Sequence, residues 1–138
     1  MGRFTFLSQG VPHAFREKKR LSAWLEREAR EHGTRIESIC FVLMSDEALR
    51  GYNQRFLGRS YFTDVIAFDG QAGAGISGDV LISYDRTKEN AVRFGSSHQH
   101  ELRRVMVHAL LHLLGHTDGT AQEKAAMRLL EDAALKRY

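Results

Sequence analysis

The chain has 138 residues, 43% hydrophobic and 27% charged, with a formal charge of +3. That length buries a core without disulfide staples, and Cys40, the only cysteine, can form none within the chain. The longest uncharged apolar run is about ten residues, too short to cross a bilayer, so no membrane association is expected. The modest positive charge permits an acidic partner such as nucleic acid without demanding one.

The N-terminus, Met1 to Leu7, lacks a long apolar stretch and a small-residue cleavage site. With the single cysteine, this leads to an expected cytoplasmic location. Phe4 to Leu7 alternates with polar neighbours and reads as a short strand. Val11-Pro12 marks a turn. Ala14 to His32 reads as a helix, with Leu21, Trp24 and Leu25 at i, i+3 and i+4 and Gly33 placed to end it. Its opening charges, Arg16 to Arg20, read as a solvated face in preference to an RNA-contacting patch.

Ile36 to Met44 is the second strand. Its second half is apolar throughout, as expected of a strand covered on both faces, and Cys40 within it reads as a buried, inert thiol. Ser45 caps a helix with Asp46 and Glu47 in the first turn, running to about Phe56. Leu57 to Ser60 is a loop. Phe62 to Phe68 reads as a third strand with Phe62, Ile66 and Phe68 in register. Asp69 to Gly75 is a glycine-rich connection, and Ser77 to Ser83 is the fourth strand. The glycines at 73, 75 and 78 spell the dinucleotide-binding spacing, but the last of them opens a strand where that fingerprint opens a helix.

Tyr84 to Phe94 reads as a short helix ended by Gly95. Ser97 caps the next, which runs to Leu114 with a core stripe of Leu102, Val105, Met106, Ala109, Leu110 and Leu113. Thr120-Ala-Gln-Glu123 is a capping box opening a last helix that carries Met127, Leu130 and Leu135. This order of helices and strands, with one strand pair joined directly, reads as α+β or mixed α/β in a single domain, residues 1–138.

The candidate chemistry lies in His108-Ala-Leu-Leu-His112-Leu-Leu-Gly115-His116-Thr-Asp118. Histidines four apart share a helix face and can aim a nitrogen each at one point. Gly115 lets the chain stop and reverse, so Asp118 can return as a third ligand. Two histidines and a carboxylate leave a coordination position open, the pattern of a catalytic zinc site. His116 competes for the third place, but comes only one residue after the turn. Zinc peptidases place a glutamate base directly after the first histidine; here that residue is Ala109. His98 and His100 near a helix start, and His13 and His32, read as solvent-facing. For Asp64 and Asp79, structural hydrogen bonding is at least as good a reading as ligation. Arg86 and Lys88 fit either a basic groove or a solvated helix start.

The combination resembles the YbeY family of metal-dependent endoribonucleases, whose signature is His-Gly-x-Leu-His-Leu-x-Gly-Tyr-Asp-His. This chain supplies His108, Leu111, His112, Leu113 and Gly115 at matching places. Thr63 to Phe68 is similar to the family's Thr-Asp/Asn-Val-Leu-Ser-Phe strand, Ile76 to Ser83 to its Gly-Asp-Ile strand, and Met127 to Asp132 to its final helix. Asp118 stands where most members have histidine, as in one branch of the family. The family's functional arginine would fall at Leu57. The nearest basic residue is Arg59, which could serve from a reshaped loop; otherwise the role is lost or taken by Arg55.

The resemblance implies a zincin-like α+β domain: a mixed sheet of about four strands packed against helices, with the metal site on a central buried helix. It implies one Zn2+ held by His108, His112 and Asp118, with Arg59 as the catalytic candidate. It implies hydrolysis of single-stranded RNA, late 16S ribosomal RNA maturation and ribosome quality control, with ribosomal RNA precursors and the small ribosomal subunit as partners. The other readings are a zinc metallopeptidase and a non-catalytic ribosome-associated metalloprotein. The metal's identity stays open among zinc, iron, nickel and cobalt.

Overall fold

The computed structural model describes residues 2–70 and 73–138. Four strands, β1 (Arg3–Ser8), β2 (Ile36–Met44), β3 (Val65–Asp69) and β4 (Ile76–Ser83), form one sheet in the order β1-β2-β4-β3. The β1–β2 and β2–β4 pairs are parallel and β3–β4 is antiparallel. Helices α1 (Lys18–Glu31), α2 (Asp46–Leu57), α3 (Tyr84–Arg93), α4 (His98–Leu113) and α5 (Ala121–Lys136) complete the α+β fold. The connection expected over Asp69–Gly75 includes residues 71 and 72, which lie outside the described residues.

Period-two alternation sends neighbouring residues of each strand to opposite faces. Ile39, Phe41 and Leu43 of β2 and Val80 and Ile82 of β4 point into the larger core, against Trp24 and Leu25 of α1 and Val105, Met106 and Leu110 of α4. Val42, Met44, Ile66 and Leu81 point the other way, against Leu49 of α2. This two-sided cover explains why the end of β2 is apolar without interruption. Each fully buried large side chain contributes about 1.5–3 kcal/mol. The Trp24 indole also donates to the Ala134 carbonyl at 2.9 Å, which ties α5 to α1.

The first helix begins at Lys18, four residues later than its charge and apolar pattern suggests. Phe15 is drawn into the core against Phe6 and Phe41, and Glu17 takes a left-handed conformation (φ 54°), so helical geometry cannot extend back to Ala14. The third strand is also shorter than expected. Its pairing with β4 covers Val65 to Asp69 only. Phe62 lies before it, its ring in contact with the guanidinium groups of Arg50 and Arg86. Three of the four later helices start at the caps read from the sequence, and Ser83 caps the fourth, α3. Ser45, Ser83 and Ser97 each accept from a backbone N–H of the first turn, and Thr120 with Glu123 forms the reciprocal box.

Gly78 lies within a strand and does not open a helix, unlike the last glycine of the dinucleotide fingerprint. It sits in β4, where an added Cβ would come 2.5 Å from the Phe68 carbonyl oxygen and 3.2 Å from the Leu113 side chain. The close approach of the β3 backbone, and behind it of the Leu113 side chain of α4, leaves no room for a side chain.

Candidate metal centre

Helix α4 buries one face against the sheet, through Leu102, Val105, Met106, Ala109 and Leu110, and turns His108 and His112 toward a cleft. Gly115 (φ 102°) ends the helix, and the N–H of His116 bonds back to the Leu111 carbonyl at 3.0 Å. The reversal returns the chain to the helix end. The Glu123 carboxylate that closes the capping box also accepts from the Thr117 hydroxyl, so the segment carrying Asp118 is tied at both sides. These bonds hold the exposed Glu123 carboxyl below its ordinary range.

The result is a compact triangle. His108 Nε2 and His112 Nε2 are 3.1 Å apart, and each is 3.5 Å from Asp118 Oδ2. Donors about 2.0–2.1 Å from a tetrahedral metal stand about 3.3–3.4 Å from one another. The three atoms therefore fit a common ion without rearrangement, and they are one donor each from a His-His-Asp set. His116 is directed elsewhere, its ring edge-on to that of His32 at 5.4 Å.

Behind the triangle lies a buried ionic network absent from the sequence reading. Glu131 of α5, 2% exposed, accepts from His108 Nδ1 at 2.5 Å. That bond sets which ring nitrogen is free to face the cleft, the usual arrangement behind a metal-ligating histidine. Arg104 holds the other Glu131 oxygen at 3.3 Å, Glu101 through two nitrogens, and Asp64 at 3.2 Å. Burial opposes the Arg104 charge, but Glu101, Asp64 and Glu131 together hold its pKa well above the ordinary arginine value. A signal for Glu131 existed: it falls on the stripe Met127, Glu131, Ala134, where a charge facing the core requires a partner. Asp64 plays the structural part expected as one alternative.

The cleft, about 350 Å³, opens along edge strand β3. Its walls include Asn53 and Leu57 of α2, Arg59, Tyr61 and Thr63 of the following loop, and Ala109. Arg59 thus shares the cleft with the triangle, donating to the Tyr61 hydroxyl at 3.1 Å. Among the described residues it has no carboxylate partner. The loop backbone is pinned by α2: Asn53 donates to the Tyr61 carbonyl at 2.9 Å and Arg50 to that of Ser60 at 2.8 Å. Arg55 lies outside the lining, over the Phe56 ring. Arg86 and Lys88 do not line it either, since Arg86 pairs with Asp46 at 3.0 Å and Lys88 lies over Tyr84.

His98, expected in solvent, is half-buried. Its Nε2 meets the Thr87 hydroxyl at 2.9 Å and its ring packs edge-on against Tyr84. Burial, reinforced by Lys88, lowers its pKa. Cys40, expected to be buried, is only partly so, on the α2 face of β2; burial and then the charge of Asp79 raise its thiol pKa.

The family model described as Endoribonuclease YbeY matches residues 9–138. The Endoribonuclease YbeY of Cytophaga hutchinsonii is 39% identical over 131 residues, covering 94% of this chain and 92% of its own. That of Bacteroides thetaiotaomicron is 35% identical over 131 residues, covering 95% and 96%. The solution structure of TM1509 from Thermotoga maritima superposes with a TM-score of 0.64 at 22% identity, over 96% of this chain and 87% of that one, and so shares the fold.

Proposed function

From the premise that the chain belongs to the YbeY family of endoribonucleases, we propose that it is a zinc-dependent hydrolase of single-stranded RNA, acting on 16S ribosomal RNA precursors at the small ribosomal subunit, in late maturation and quality control. The single observation that carries the reading is the open-sided His108–His112–Asp118 triangle on the floor of a cleft in which Ala109 occupies the place of a peptidase base. A cytoplasmic location belongs to the same proposal; no helix among the described residues is long and apolar enough to cross a membrane.

His108, His112 and Asp118 would hold the ion. When bound, zinc supplies Lewis acidity toward a phosphoryl oxygen and makes water a nucleophile near neutral pH. Glu131 keeps the His108 ring oriented. Arg59 offers charge-assisted hydrogen bonds to the non-bridging oxygens, whose charge grows in the transition state. The half-exposed Tyr61 ring on the same wall can stack on a base only if that base is unpaired, which favours single strands. The peptidase reading lacks a base: Asp64 is committed to Arg104, and Glu101 and Glu131 are buried.

The test is cleavage of matched single- and double-stranded RNA by the zinc-loaded protein and by His112→Ala, with metal content measured in both. The expected result is chelator-sensitive cleavage of the single strand, lost in the variant while its circular dichroism is retained. Cleavage surviving in the variant, or zinc-dependent cleavage of peptides instead, would overturn the proposal.

A further inference from the structure

The triangle opens on a second side. Beyond the Arg59 cleft, a second depression of about 330 Å³ is lined by Arg104, His108, Asp118, Lys124, Met127, Arg128 and Glu131. The two clefts share His108 and Asp118 in their linings, so both border the triangle and together outline a two-armed groove around it.

The charge of this centre poses a problem for a phosphodiester substrate. Asp64, Glu101, Asp118 and Glu131 carry four negative charges against the one positive charge of Arg104. A divalent cation cancels two of the remaining three. The loaded centre is still anionic and does not by itself attract a polyanion. Arg104 cannot help, because three carboxylates saturate its guanidinium. The cations that can are those lining the two arms of the groove. Arg59 lies on one arm. On the other, Lys124 and Arg128 stand four residues apart on one face of α5, exposed, and neither forms an ion pair among the described residues. The Arg128 guanidinium lies 5.9 Å from the centre of the Phe94 ring.

Resting on the nuclease reading above, we infer that Lys124 and Arg128 form a phosphate-binding subsite for the RNA strand on the side of the scissile bond opposite Arg59. The strand crosses the triangle from one arm to the other. The α5 pair sets affinity and register on its side, and Arg59 acts at the reacting phosphate. Lys124 and Arg128 are positioning residues, so their removal is felt in KM and not in kcat.

The experiment compares the zinc-loaded protein with Lys124→Gln/Arg128→Gln and with Lys18→Gln/Lys19→Gln, which removes the same charge from α1. Cleavage kinetics and equilibrium binding are measured across a salt series, with fluorescent single-stranded RNAs extended to either side of one cleavage site. For the α5 variant the expected KM rises about tenfold with kcat nearly unchanged. The dependence of log Kd on log salt flattens by about 1.4, or about 0.7 for each phosphate contact to a single strand. Extending the RNA on one side only ceases to improve binding. The α1 variant behaves like the parent. Unchanged KM, salt slope and length dependence in an α5 variant that still cleaves would overturn the subsite and leave the nuclease reading intact. A parent protein that binds RNA through the α5 pair but never cleaves it would overturn the nuclease reading and leave the subsite intact. No RNA binding by the parent would overturn both.

Discussion

On the α4–α5 side of the cleft His108 is backed by a chain of buried partners: Glu131 behind His108, Arg104 behind Glu131, Glu101 and Asp64 around Arg104. On the opposite side Arg59 and Tyr61 are exposed, and α2 holds them through bonds to the carbonyls of Ser60 and Tyr61. The first wall fixes side chains, the second fixes only backbone. The difference follows from what each does. Metal donors must converge within a few tenths of an ångström. On the proposed reading, Arg59 and Tyr61 would meet a flexible polymer, which asks for reach more than fixed orientation.

Breaking the first wall should be costly to the fold. Arg104→Met strands Glu101 and Glu131, 1% and 2% exposed, without their counter-charge. The expected loss is about 3–5 kcal/mol of stability, typical of removing one partner from a buried ion pair, measured by urea unfolding of the metal-free protein. A loss under about 1 kcal/mol would mean that the network is not buried as described. A milder break is Glu131→Gln, which keeps the shape and removes the charge behind His108. Zinc affinity should fall about 10–100-fold, read by competition with a chromophoric chelator, and affinity equal to the parent's would show that His108 needs no orienting carboxylate. The second wall should respond oppositely. Arg59→Ala should leave unfolding and zinc affinity unchanged while kcat falls roughly tenfold or more. Full activity in that variant would move the role to another residue, with Arg55 the next candidate along the chain.

Much of the fold was legible because local rules and burial agree. The serine caps, the capping box at Thr120 and the two-faced apolar run of β2 each announce their element, and each appears where expected. The failures fall where a tertiary contact outweighs the local pattern. Phe15 leaves a helix-forming stretch for a pocket beside Phe41. Phe62 leaves a strand pattern for contact with two guanidinium groups. His98 looks like a surface residue until Thr87 and Tyr84 close around it.

For the candidate centre, sequence alone determined the placement of the residues that helical geometry controls. The four-residue spacing of His108 and His112 places them on one face, and Gly115 permits the reversal that selects Asp118 over His116. It also determined that Ala109 offers no base. Only the tertiary structure decided what stands behind and beside them. Glu131, Arg104 and Asp64 come from α5, α4 and the approach to β3, and spacing along the chain carries no information about their meeting. Their partnership is a packing outcome: a charge buried among apolar side chains must find its opposite, and which one it finds depends on how the helices dock. The same docking puts Arg59 on one arm of the groove and Lys124 and Arg128 on the other.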